Sequence, residues 1–258
     1  VVQAVAVSAA LAPDHSSVVG AHIAVKAALV QSLDDAVNIG GAHSPNLEAV
    51  ISADPDLVLA SASTSSHVDL MTVLDDMGIN VVYFDVDSFY DYLDMLDICT
   101  DITGRKDLYD KNGIQVKAKI DELKKTVSQP MPRVLLLRVS SGTLKAKSGE
   151  GTVLGEMLSD IGCVNIADSD NSLLENLSIE SIMKENPYHI FVAVMGDSDK
   201  AYENLKRTME ENPAWHSLDA VRCGRIHIMD RELFNIKPNA RWADSYEQLV
   251  EILLQDSE

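Results

Sequence analysis

Short Val-, Ile- and Leu-rich runs recur along the chain at Leu57–Ala60, Val81–Phe84, Val134–Arg138, Ile190–Val194 and Arg225–Met229. A short run that is apolar on both faces suits a strand buried from both sides in a parallel sheet. Between these runs, stretches such as His67–Met77 and Thr152–Ile161 carry apolar positions at helical spacing. The alternation predicts an α/β chain of parallel sheets with crossover helices. The opening Val2–Ser8 reads as a first buried strand. Its apolar residues and the small residues before Pro13 also fit the end of a secretory signal, without a basic leading region or a lipobox cysteine.

One segment breaks the alternation. From Asp107 to Val127 the chain is polar and charge-rich, with Ile114, Ala118, Ile120 and Leu123 at helical spacing, and Pro130 and Pro132 follow closely. The spacing predicts one long helix from about Gly104 to Ser128, stopped by the prolines and roughly 37 Å long at 1.5 Å per residue. A helix of that length can connect two lobes, predicted here as residues 1–103 and 129–258 with 104–128 between them.

An internal repeat supports two similar halves. Val37-Asn38-Ile39 leads to Leu47-Glu48-Ala49-Val50 and then Asp54-Pro55-Asp56-Leu57-Val58-Leu59. Later, Val164-Asn165-Ile166 leads to Ile179-Glu180-Ser181-Ile182 and then Asn186-Pro187-Tyr188-His189-Ile190-Phe191. In each copy a strand ends in a loop, a glutamate stands near the start of a short helix, and an acid or amide followed by proline stops that helix before the next strand. The other reading of this order is a chance likeness of two βαβ units.

Composition narrows the function. Forty acidic against 21 basic residues give a formal net charge of −19, which repels nucleic-acid phosphates and anionic membrane surfaces. No apolar run approaches the roughly 20 residues of a bilayer-spanning helix. The cysteines, Cys99, Cys163 and Cys223, lie about sixty residues apart and form neither a disulfide framework nor a CxxC site.

The ordered set Asn46-Leu47-Glu48, Ala53-Asp54-Pro55-Asp56-Leu57-Val58, Asp101-Ile102-Thr103-Gly104, Asn212-Pro213-Ala214-Trp215, Gly224-Arg225-Ile226-His227, Asp230, Phe234, Pro238 and Arg241 resembles the substrate-binding proteins of ABC importers for iron-siderophores, haem and cobalamin. The resemblance spans roughly residues 37 to 255, while the alanine-rich Ala9–Gln31 departs from the family pattern. It implies the class III periplasmic binding protein fold, two Rossmann-like lobes with central parallel sheets joined by a long backbone helix. It further implies a monomeric, extracytoplasmic protein, periplasmic or a cell-surface lipoprotein, that binds a ferric siderophore-like complex in the cleft between its lobes and delivers it to a permease dimer. Haem or cobalamin is the alternative cargo. In this family the glutamates matching Glu48 and Glu180 grip basic sockets of the permease; from the residues alone, each is equally an acid suited to a positive helix N-terminus.

Candidate ligand residues follow from charge and from strand ends, because open α/β sheets bind outside the carboxyl ends of their strands. Arg138 stands at the end of an apolar strand, and Lys145 and Lys147 extend the basic character of what reads as the next loop. Lys237 and Arg241 add cations near the C-terminus. Guanidinium and ammonium groups suit the anionic oxygens of a ferric chelate. Tyr90, Tyr92, Phe234 and Trp242 are candidates for aromatic walls, whereas Tyr83 and Phe84 read as strand core. Ser65, Ser66, His67 and His43 sit in loops of the first half.

Other chemistries are poorly represented. The seven histidines make no HxxxH or HExxH spacing, so no metal site is predicted. Haem ligation would fall to His43 or Met195. No GxGxxG, GxxxxGK[ST] or GxSxG motif occurs. An enzyme reading would rest on Asp85 with Asp87, Asp168 with Asp170, or a phosphate-cradling turn at Gly149-Glu150-Gly151-Thr152. No catalytic residue and no covalently bound cofactor is expected.

Overall fold

The computed structural model describes residues 3–6, 24–26, 37–41, 43–128 and 130–255, the first two ranges by their backbone. The chain divides into two compact units, one made of Val1–Val86 and Tyr90–Gly113, the other of Asp87–Phe89 and Ile114–Glu258.

In the first unit the elements run β1 (Gln3–Ala6), β2 (Ala24–Lys26), β3 (Gly40–Gly41), β4 (Ser44–Pro45), α1 (Leu47–Ser52), β5 (Leu57–Ser61), α2 (Ser65–Val68), α3 (Met71–Asp76), β6 (Val81–Phe84), α4 (Phe89–Thr103) and α5 (Lys106–Tyr109). The sheet order is β2-β1-β5-β6, parallel except for the antiparallel β1/β2 pair. Strand β1 falls inside the predicted Val2–Ser8, and most of the alanine-rich Ala9–Gln31 lies outside the described residues. Ile39, Val50, Val58 and Leu74 form a buried cluster. The predicted His67–Met77 helix is divided into α2 and α3.

The second unit continues with α6 (Gln115–Thr126), β7 (Arg133–Val139), β8 (Leu144–Ala146), α7 (Val153–Ile161), β9 (Val164–Asn165), α8 (Asn171–Asn176), α9 (Ile179–Glu185), β10 (His189–Val194), α10 (Ser198–Glu211), α11 (Asp219–Arg222), β11 (Ile226–Met229), α12 (Arg231–Phe234) and α13 (Trp242–Gln255). Strands β11, β10, β7 and β9 are parallel, and β8 pairs antiparallel to the upper part of β7. Period-2 alternation sends Leu135, Leu137 and Val139 of β7 and Ile190, Val192 and Val194 of β10 into one core with Ile166, Leu173, Ile182 and Trp215. Val134, Leu136 and Arg138 therefore face the other side.

The predicted connecting helix forms as Lys106–Thr126, carried through α5, a π turn at Asp110–Ile114 and α6. Gly104, with φ of +68°, ends α4 before it. The π turn holds Gly113, where a Cβ would stand 2.9 Å from Leu93 Cδ2 and 3.3 Å from Leu96 Cδ2, so glycine lets this turn approach α4. The division between units falls at Gly113, inside this helix. Helix α6 is tied within the second unit by Lys119–Glu247 and Lys124–Asp160, each 2.6 Å, while Tyr246 donates to Asp160 at 2.7 Å.

Both copies of the repeat fold alike. Asn46 caps α1 by accepting from the Ala49 N–H, and Ser178 caps α9 by accepting from the Ser181 N–H. Val50 and Ile182, each two residues beyond the glutamate, are fully buried. Asp54 and Asn186, each followed by proline, take left-handed backbone with φ of 46° and 40°, and β5 and β10 start at matching distances beyond them. A non-glycine residue in that region is uncommon. The same departure at equivalent places supports a true repeat.

Candidate ligand site and family

The second unit gathers the predicted cations. Arg138 lies within β7, flanked in register by Ala193 of β10 and Lys145 of β8. The segment read as a loop is in fact the antiparallel strand β8. It returns through a turn where the Ser140 N–H donates to the Thr143 carbonyl at 2.9 Å. Ala146 points into the core, so Lys145 and Lys147 share the opposite face with Arg138. The Lys147 N–H donates to the Leu136 carbonyl at 2.9 Å and keeps that lysine in line with the strand pair.

The surrounding electrostatics are unbalanced. Burial lowers the pKa of Arg138, with Asp87 partly restoring it. Lys147 is also lowered, first by burial and then by repulsion from Arg138 and Lys145. The Arg138 Nε is buried with no hydrogen-bond partner. Among the described residues, none of these three cations has a carboxylate within ion-pair distance, whereas Lys106, Lys117, Lys119, Lys124 and Arg133 each reach one. An anion placed here would gain charge-assisted hydrogen bonds without displacing a protein partner.

The supporting loop is held by hydrogen bonds between positions distant in sequence. The Asn165 side chain accepts from the Leu136 N–H at 3.2 Å and donates to the Lys147 carbonyl at 2.8 Å and to Asp168 at 3.2 Å. Asp168 also accepts from the Ser148 hydroxyl at 2.9 Å and the Gly149 N–H at 2.7 Å. Glu156 accepts from the Gly151 N–H at 3.1 Å. The turn considered for phosphate is therefore already filled by the protein's own carboxylates. Asp170 caps α8 through Ser172, which holds its pKa down. Asp168, Glu156 and Asp170 thus each accept from the protein's own turn or helix-start groups.

The remaining predicted residues differ in burial and in partners. Phe234 and Trp242 are buried, and Trp242 meets Phe89 edge-on at 5.9 Å. Tyr92 is buried, donates to the Asn112 carbonyl at 3.4 Å, and has its pKa pushed up to about 12 by burial. His67 is buried, and its Nδ1 accepts from the Ser61 N–H at 3.1 Å, leaving the ring proton on Nε2. These four side chains pack the interior, because a large ring at a strand or helix end gains more from burial than from solvent. Arg241 pairs with Asp244 at 3.2 Å and Glu232 at 3.8 Å beside the start of α13. Lys237 pairs with Asp87 at 3.0 Å. Tyr90, Ser65 and His43 are exposed, in α4, α2 and the β3–β4 turn, and Met195 is exposed just beyond β10. Glu48 and Glu180 are exposed in the first turns of α1 and α9.

One pairing went unforeseen. His189 and His227, on adjoining strands, bring Nδ1 and Nε2 to 3.0 Å. The described residues contain no group of three or more His, Cys, Asp or Glu side chains able to hold a metal.

The periplasmic binding protein family model matches residues 1–233. The chain belongs to the periplasmic binding protein family. Two Bacillus subtilis (strain 168) proteins are similar to this binding protein. An uncharacterized ABC transporter substrate-binding lipoprotein, YvrC, is 28% identical over 222 residues, 84% of this chain and 68% of the relative. The Fe(3+)-citrate-binding protein YfmC is 24% identical over 205 residues, 79% of this chain and 62% of the relative. Among solved structures, S. aureus IsdE complexed with haem matches with a TM-score of 0.72 at 18% identity, covering 85% of each chain. The triscatecholate siderophore-binding protein FeuA of Bacillus subtilis, complexed with ferri-bacillibactin, matches with a TM-score of 0.65 at 19% identity, covering 83% of this chain and 76% of FeuA. The class III fold and the resemblance to ABC-importer substrate-binding proteins are thereby borne out. No described helix of this periplasmic binding protein is long and apolar enough to cross a membrane.

Proposed function

We propose that this chain is the extracytoplasmic, monomeric receptor of an ABC importer for a ferric siderophore-type chelate, held intact and reversibly on the Arg138–Lys145–Lys147 face. The carrying observation is that cluster: three neighbouring cations with no carboxylate partner among the described residues, in a chain of net charge −19. Ferric complexes with anionic oxygens match it in charge and in hydrogen-bond capacity. The names of the Fe(3+)-citrate-binding and triscatecholate-binding proteins support the same cargo class. Glu48 and Glu180, equivalent in the repeat and exposed on capped helices, dock the permease, one from each unit.

The test is calorimetric titration of the wild type and Arg138→Ala with an anionic and a neutral ferric chelate. Arg138→Ala weakens the anionic complex at least tenfold, about the effect of removing one strong charge-assisted contact, and leaves the neutral one within twofold. Equal losses for both would remove Arg138 from the site.

A further inference from the structure

Helix α10 carries an asparagine on its buried face. Ala201 and Leu205 of this helix pack into the core of the second unit, and Asn204 beside them is only 5% exposed. Asparagine is a weak helix former, and a buried amide costs stability unless its hydrogen bonds are met. Here both ends of the amide are met. The Asn204 Oδ1 accepts from the Arg207 Nη2 at 2.8 Å, which turns the Nδ2 towards the Ser140 carbonyl, to which it donates at 2.9 Å. Ser140 opens the turn that joins β7 to β8. Its N–H donates to the Thr143 carbonyl at 2.9 Å, its hydroxyl lies 2.8 Å from that of Thr143, and the Thr143 N–H donates to the Ser140 Oγ at 3.2 Å. Next to this turn Val139 pairs with Leu144, and then Arg138 with Lys145. The far end of β8 meets a second buried asparagine, Asn165, through the Lys147 carbonyl and the Leu136 N–H. The short strand Leu144–Ala146 thus has a buried amide at each end, one from α10 and one from β9.

We propose that Asn204 is a positioning residue for the ligand face: by anchoring the β7–β8 turn to α10, it fixes how Arg138 and Lys145 stand relative to each other. A chelate that spreads its charge over several oxygens gains from both cations at once only while their spacing is held, because ordering them on binding subtracts from affinity. A neutral chelate gains little from that spacing. The inference rests on the reading of the Arg138–Lys145–Lys147 face as the ligand site and adds the residue that preorganises it. It also accounts for two local rules broken at one position, a weak helix former inside a helix and a polar group on its buried face.

The test measures affinities of a trianionic ferric triscatecholate and a neutral ferric trishydroxamate for the wild type, Asn204→Leu, Asn204→Ala, Leu205→Ala and Arg138→Ala, beside urea unfolding of each. Leucine is close to asparagine in size and suits the apolar stripe, and the half-buried Ser140 can bond to water instead, so Asn204→Leu keeps a midpoint near that of the wild type. It nevertheless lowers affinity for the trianionic complex about fivefold and leaves the neutral one within twofold, and Asn204→Ala does the same. Leu205→Ala opens a cavity at the neighbouring position of α10 and lowers the unfolding midpoint, yet leaves both affinities within twofold. Lost binding with retained stability at one position, and the reverse at its neighbour, is what a merely structural amide would not produce. If Leu205→Ala shifts the affinity ratio as far as the Asn204 variants, if Asn204→Leu does not fold, or if both Asn204 variants leave the ratio unchanged while Arg138→Ala lowers it, the positioning role is overturned and the ligand face stands. If Arg138→Ala leaves the ratio unchanged, or the wild type binds neither chelate, the ligand face falls and the positioning role with it.

Discussion

The two copies of the repeat share a plan but differ in what their loops do. In the first, Asn38 makes one short bond, accepting from the Gly40 N–H at 2.9 Å at an exposed position, and a two-residue hairpin leads to α1. In the second, the equivalent Asn165 is buried and joins β7, the Lys147 carbonyl and Asp168, and an additional helix, α8, occupies the loop. The shared features are the capped helix, the exposed glutamate and the left-handed residue before proline. The divergent ones surround the cationic face. Under the proposed docking, a two-fold permease would be met by the former on each unit, and the proposed ligand face lies among the latter.

The largest effect expected concerns the shared features. Glu48→Arg combined with Glu180→Arg reduces uptake of labelled ferric chelate in cells to background, with ligand affinity of the purified protein unchanged; undiminished transport rejects docking through this pair. Each single variant retains partial uptake if both copies contribute.

Next come the divergent asparagines. Asn165→Ala leaves the Leu136 N–H and the Lys147 carbonyl without their partner and destabilises the second unit by about 2–4 kcal/mol in urea unfolding, whereas Asn38→Ala, at an exposed site, costs about 1 kcal/mol or less. Equal midpoint shifts would contradict the contrast. The two left-handed positions sharpen it further. Asp54→Ala costs about 1 kcal/mol from backbone strain alone. Asn186→Ala costs more, because Asn186 also donates to Asp219 at 2.7 Å and accepts from the Asp219 N–H.

Smaller effects separate the units by pH. Burial pushes the Cys99 thiol up to about 11 and the Tyr92 hydroxyl up to about 12 in the first unit, and the Cys163 thiol up to about 12 in the second. These acids ionise more readily when unfolded, so the unfolded state releases protons first and stability falls as pH rises from about 9 towards 12. Burial also raises Tyr83, so the first unit holds three such groups against one and loses more, which thermal unfolding followed at several alkaline pH values will show. At pH 8 only the exposed Cys223 reacts rapidly with a thiol reagent, giving one fast equivalent per chain.

Much of the fold was legible because its signals are local. The apolar runs, the helix before the paired prolines and the repeated cap–glutamate–proline order each reside in a few adjacent residues. The cationic cluster was half legible. Arg138, Lys145 and Lys147 were identified by charge, but their common face depends on β8 pairing with β7, and a three-residue strand with lysine at its centre carries little periodicity. The burial of the aromatic candidates is a matter of tertiary packing. Phe234, Trp242 and Tyr92 follow strands or open helices as ligand-facing rings would, and only the tertiary packing shows that each is enclosed. The Asp87–Lys237 ion pair and the Asn165 hub join distant positions, and neither has a sequence signature.

The most direct test of the account is a titration of intrinsic tryptophan fluorescence, since Trp215 and Trp242 are both buried in the second unit. Metal-stripped protein is titrated with ferric catecholate, hydroxamate and citrate complexes, their iron-free ligands, haem and cobalamin, with absorption controls. The account predicts saturable one-to-one binding of an anionic ferric chelate, absent for the same ligand without iron. Saturable binding of haem or cobalamin alone, or of no ferric complex, would contradict it.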